Sequence, residues 1–327
     1  MHPTPFQRKD LIAALCVVFI WGTNFVAMKV GLKDFTPFQL GAARYILAIL
    51  PLILFVRPPK LHWKWVVLFG LFQGVGQFGL LFLALRIGMT AALASVVLQT
   101  QVFFTALFGV VLLRERIGRP LQIGLMLAGL GLTCFVLNYV LPSVPEAAGG
   151  AALAAGGTSL PAPATSSLLG FVLCLGAASM WAASNIVVRR AQKSTPEFEV
   201  LPFLVWSCAV PIVPFILLTL TFDPPATRLH WTAAPWSAWL AIAYLGWIAT
   251  IVGYAMWTGL LKRHAVNRVA PFSLGVPIVG LAAGILILHE VVTAWQWAGI
   301  TLLVAALVTV FVQPAVVVTL WKKITRH

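Results

Sequence analysis

The chain has 327 residues, 61% of them hydrophobic and only 9% charged, with a formal net charge of +14. A water-soluble domain carries about a quarter charged residues, so this composition excludes a soluble enzyme or binding module and describes an integral membrane protein. The basic residues are scattered as pairs and triplets between apolar runs, which excludes a nucleic-acid surface and reads as membrane topology.

Ten apolar segments reach the roughly 20 residues needed to cross a hydrocarbon core of ~30 Å. They are 11–30, 37–56, 65–85, 91–113, 120–140, 168–188, 200–221, 236–261, 267–288 and 295–313. The first follows Arg8 and Lys9 as a signal peptide would. It is longer than a signal-peptide core, carries Asn24 and Lys29 and lacks a small-residue cleavage site, so it reads as a retained helix. Residues 141–167 are rich in Ala, Gly, Ser and Pro, with no Lys or Arg. Such a stretch cannot bury a core and reads as a flexible linker. The four cysteines, Cys16, Cys134, Cys174 and Cys208, lie in apolar runs without metal or redox spacing and read as buried free thiols.

Short cytoplasmic loops are enriched in Lys and Arg. One side of the membrane collects Arg8 and Lys9; Arg57, Lys60 and Lys64; Arg114, Arg116 and Arg119; Arg189, Arg190 and Lys193; Lys262, Arg263 and Arg268; and Lys322, Lys323 and Arg326. The other has Lys29, Lys33, Arg86 and Arg228, with Arg44 left inside the second span. An even number of helices with both termini cytoplasmic produces this asymmetry and puts the linker outside. Five helices per half is odd, so a repeated half inserts in the opposite orientation, as in many secondary transporters. Glu115 and Gly124 are echoed by Glu290 and Gly299 at the same spacing. At that offset Phe82 falls opposite Trp257, and Leu98 opposite Ser273. The expected fold is all-α integral membrane, with ten transmembrane helices as two inverted five-helix repeats. Its parts are residues 1–140, the extracytoplasmic linker 141–167, residues 168–321, and a cytoplasmic basic tail, 322–327.

Polar groups at membrane depth are expensive and face protein or a wet cavity. Trp21 and Asn24 share a face of the first helix, and Trp181, Asn185 and Arg189 repeat the device. Asn24, Gln77, Gln99, Asn185 and Ser273 are candidate substrate contacts, the bland reading being hydrogen bonds between helices. Gln99 and Gln101 diverge by about 200° on a regular helix and cannot both point inward. Trp21, Trp181, Trp206, Tyr254 and Trp257 either wall a cavity or pack the core. Trp63, Trp65, Trp231, Trp236, Trp295 and Trp321 fall at interfaces as belt anchors. Arg44 is placed to attract a carboxylate, and Lys29 reads as a snorkelling end residue. Pro271 and Pro277 interrupt the ninth helix, and Gly74, Gly76 and Gly79 mark the third as a close-packing one.

All eight acids lie in loops or at helix ends, so no buried carboxylate serves as a proton relay or Na⁺ ligand. There is no catalytic constellation, metal site or Walker loop, so no enzyme activity and no cofactor is expected.

The stretches Trp21-Gly22-x-Asn24-Phe25 and Val269-Ala270-Pro271-x-Ser273-x-x-x-Pro277-Ile278-Val279-Gly280, with the two Glu-containing helix junctions, resemble the EamA family of the drug/metabolite transporter superfamily. Leu98-Gln99-x-Gln101-x-Phe103-Phe104-Thr105 and the stretch from Ile248 to Trp257 resemble its O-acetylserine/cysteine exporters. The resemblance implies a bacterial inner-membrane exporter of small amino acids or related metabolites working by alternating access. The alternatives are another solute class (an aromatic amino acid, drug or nucleotide precursor), a membrane-embedded enzyme, or a purely structural subunit. The expected partners are a small-molecule substrate and the lipid bilayer, with no nucleic acid; the sequence leaves the oligomeric state open and is compatible with a monomer.

Overall fold

The computed structural model describes residues 7–50, 52–114, 118–141, 164–195, 197–264 and 269–311. Among these every regular element is helical. The expected linker, apart from its edges, and the basic tail lie outside the described residues. We label the helices α1 (Arg8–Gly31), α2 (Pro37–Ile49), α3 (Trp63–Arg86), α4 (Ala91–Leu112), α5 (Arg119–Val140), α6 (Ala164–Ser194), α7 (Val200–Phe222), α8 (Trp236–Leu260), α9 (Pro271–Leu288) and α10 (Ala294–Phe311). All but α2 and α10 are long and apolar enough to cross a membrane. Their outward faces are apolar too, with Phe19, Val111, Leu130, Leu217 and Leu286 exposed, as lipid contact requires.

Local sequence sets the breaks. Thr36 caps α2 through the Gln39 amide at 3.2 Å, and Pro37 opens the helix with a preset φ. The second segment was expected to continue to 56, but α2 stops at Ile49 because the residue before Pro51 is pushed out of the helical region, and Leu50 is extended. The seventh bends at Pro211, between helical pieces ending at Ala209 and resuming at Ile212. The sixth helix begins at Ala164, inside the stretch read as linker, just after Pro163. The thiols also divide: Cys174 and Cys208 are buried, whereas Cys16 is exposed and Cys134 partly so. An apolar run turns one face to lipid, so lying in such a run does not bury a side chain in protein.

The order of local structure occurs twice. α3 carries a nine-residue π-helix, Gly70–Phe78, and α8 carries another, Tyr244–Val252. α4 is interrupted by a 3₁₀ turn at Leu98–Thr100, and α9 opens on one at Ala270–Leu274. α4 and α9 both end in a left-handed residue, Arg114 at φ 56° and His289 at φ 54°. Packing is reciprocal as well: α1 lies against α8 and α9, and α6 lies against α3 and α4. α2 meets α7 and α8, while α5 pairs with α10. The tightest crossings need glycine. A Cβ on Gly74 would lie 2.0 Å from Pro211 Cγ, and one on Gly280 would lie 2.4 Å from Ser95 Cβ.

Candidate functional site: a central polar cavity

At the middle of the molecule α1, α2, α3, α4, α6, α8 and α9 enclose a cavity of about 310 Å³. Its wall includes Trp21, Asn24, Arg44, Gln77, Gln99, Gln101, Trp181, Asn185, Tyr254, Trp257 and Ser273. Every side chain proposed from the sequence is therefore in this wall except one. Trp206 is instead packed beside the chain that follows α2, its Nε1 donating to the Val56 carbonyl at 3.1 Å and its ring meeting Trp63 edge-on at 5.6 Å. That carbonyl lies past the end of α2, outside any α-helical ladder, and gives the indole N–H a partner away from the cavity.

The indole of Trp21 donates to the Ala249 carbonyl in the π-helical part of α8 at 3.0 Å. Its ring packs against Tyr254 at 5.2 Å and Trp257 at 5.5 Å, so three aromatic groups from α1 and α8 form one side of the wall. Asn185 on α6 donates to Gln101 Oε1 at 3.0 Å and Thr105 Oγ1 at 3.1 Å, both on α4. Gln99 donates to the Ser273 carbonyl at 3.3 Å, joining α4 to the 3₁₀ turn at the start of α9. Both Gln99 and Gln101 line the cavity, contrary to the regular-helix argument; the 3₁₀ turn at Leu98–Thr100, at ~120° per residue, narrows their separation from ~160° to ~120°.

Arg44 lies wholly inside the protein, 2% exposed. Its guanidinium sits 3.8 Å from the centre of the Phe78 ring, and Nη2 donates to Thr250 Oγ1 at 3.1 Å. Thr250 in turn donates to the Leu245 carbonyl at 2.8 Å, anchoring the contact in the π-helix of α8. Thr250 escaped sequence reasoning, since a threonine in an apolar helix ordinarily bonds its own backbone. Gln73, one helical turn before Gln77, donates to Tyr254 Oη at 3.3 Å and accepts from Ser184, and it lines the neighbouring spaces.

Two further cavities adjoin the central one. The first, about 220 Å³ and mostly apolar, shares Arg44, Phe78 and Tyr254 with it, and the second shares Trp181, Asn185 and Tyr254. Both run toward the start of α7 at Val200 and the late turns of α8 at Thr258, and the second also reaches Gln192 late in α6. At that same end Asp10 of α1 pairs with Arg263 at 3.1 Å and His264 at 2.9 Å just past α8. The opposite end is held by Glu290, whose carboxylate accepts from the amides of Ala91 and Ala92, each at 2.7 Å, at the N-terminus of α4. Lys29, expected to snorkel, donates there to the Leu85 carbonyl at 2.9 Å. The role of Glu290 was not visible beforehand, because which backbone amides a helix-end acid meets is a tertiary fact.

A model of the EamA-like transporter family matches residues 8–137 and 168–312. A "Probable amino-acid metabolite efflux pump" of Escherichia coli (strain K12) is 38% identical over 302 residues, 92% of this chain and 94% of that protein. Its namesake in Salmonella typhimurium is 38% identical over the same shares of the two chains. The uncharacterized transporter YoaV of Bacillus subtilis (strain 168) is 24% identical over 87% of this chain and 90% of its own. One crystal structure superposes with a TM-score of 0.55 at 16% identity, over 93% of this chain and 96% of the other, a likeness of fold. The apolar exterior, the enclosed polar centre and a family match along both stretches agree: the chain is a multi-pass membrane protein belonging to the EamA-like transporter family.

Proposed function

We propose that this protein exports small amino acids or related metabolites, of the cysteine and O-acetylserine kind, by alternating access to the central cavity. The observation that carries the reading is the wall of that cavity, where amides and indoles from both halves of the chain converge with one cation and no carboxylate. Such a wall suits a small polar cargo without net charge. The name of the Escherichia coli relative supports the same class of cargo.

The transporter is built as two five-helix halves, residues 1–140 and 168–321, inserted in opposite orientations with ten spans and a linker between them. The paired π-helices, the paired left-handed ends and the reciprocal packing of α1 and α6 support this arrangement. With both termini in the cytoplasm of a bacterial inner membrane, the side cavities lead to the cytoplasmic face and the Glu290 clasp closes the outer one. Cargo then loads from inside, and rocking of one half against the other releases it outside.

The test is uptake into proteoliposomes of a panel of labelled amino acids, with and without an imposed pH gradient. Protein-dependent accumulation of at least one small amino acid is expected, and uptake no faster than in protein-free vesicles for the whole panel would exclude the reading.

A further inference from the structure

Three groups in the central cavity have hydrogen-bonding capacity that the fold leaves unused. Nε and Nη1 of Arg44 have no partner, and no ion pair joins Arg44 to a carboxylate among the described residues. Asn24 Oδ1 and Gln77 Oε1 are likewise without a partner, on side chains 8% and 2% exposed. Buried polar atoms are almost always paired, and an uncompensated cation in a low-dielectric interior is the costliest exception. Here one set of spare donors and two spare acceptors, from α1, α2 and α3, line the same cavity. The Phe78 ring and Thr250 fix the guanidinium in place without using up its donors.

We propose that these residues read the head group of an α-amino acid: the cargo's carboxylate accepts from the free donors of Arg44, and its ammonium donates to the carboxamide oxygens of Asn24 and Gln77. This rests on the reading of the cavity as the transport site. Placing the carboxylate on a guanidinium and the ammonium on neutral amides separates the two ends of a zwitterion by chemistry, so neither a simple amine nor a simple acid satisfies all three residues. A molecule lacking one end leaves buried groups unpaired, which is how a polar site rejects close analogues.

The experiment compares uptake by the full chain in proteoliposomes, against protein-free vesicles, of L-cysteine, cysteamine and 3-mercaptopropionic acid under reducing conditions. Cysteamine lacks the carboxylate and 3-mercaptopropionic acid lacks the amine. The expected result is a preference for cysteine over each of about tenfold or more, the value of one charge-assisted hydrogen bond. Arg44→Gln should erase the preference over cysteamine, Arg44→Lys should keep part of it, and Gln77→Leu should erode the preference over 3-mercaptopropionic acid. A residue that only pins α2 to α8 would change the rate for all three probes together. Equal uptake of cysteine and cysteamine by the unmodified protein would overturn the assignment while leaving the transport reading standing. If cysteine is not carried, the same comparison is made with leucine, isopentylamine and 4-methylpentanoic acid. Should no amino acid be carried at all, both readings fall.

Discussion

Asn185 shows what a single polar side chain does in this interior. Its amide serves Gln101 and Thr105 together, so Asn185→Ala leaves both groups of α4 short of a partner beside the cavity. The expected outcome is a loss of about 1 kcal/mol in stability with a clear fall in transport, read by thermal unfolding in detergent and by proteoliposome flux. Trp181→Ala should lower flux with insertion intact, since the indole lines the wall of two adjoining cavities. At this scale the sequence was informative wherever a lone amide or arginine interrupts an apolar run, because hydrocarbon leaves such a group few places to point. It was uninformative for Trp206, since an indole suits the interface, the core and a cavity wall alike and only its neighbours decide. Thr250 stayed hidden for a related reason: its partner Arg44 lies far away in sequence.

Helices are the scale at which prolines and close crossings act. Pro51 ends α2 and Pro211 bends α7, and both were legible in principle from the extended preference of the residue before proline and the missing amide. The π-helices in α3 and α8 were not, because wide turns leave no mark on hydrophobic periodicity that a run of apolar residues would reveal. Gly280→Ala is predicted to destabilise the crossing of α9 with α4 by roughly 1–3 kcal/mol, as its methyl would run into Ser95. Adding Ser95→Gly should restore part of the lost melting temperature, and no recovery in the double variant would place the damage elsewhere. Glu290→Gln removes the charge that faces the α4 N-terminus and should cost about 1–2 kcal/mol, measured as a lower midpoint of thermal unfolding.

For the whole molecule, basic-residue placement and helix count gave an expected topology from sequence, and the reciprocal contacts of α1 with α8 and α9 and of α6 with α3 and α4 fit it. What could not be read was which end of the cavity opens at rest, because that depends on the balance of contacts at the two ends, which only the packed structure sets. A cysteine at Gln192 or Thr258, in a chain whose own cysteines are replaced, tests the direction. A membrane-impermeant maleimide should label it from the cytoplasmic side and label it more slowly once cargo is added. Labelling from outside alone would reverse the assignment.

The carboxylate of Glu290 sits just beyond α9, and the amides it grips begin α4. If that end faces outward, as proposed, parting it means stripping a charged group from two short bonds before any replacement is at hand. On the orientation and alternating access proposed above, an empty carrier is expected to wait on the cell's interior, with the first crack of that outer seal as its slowest move.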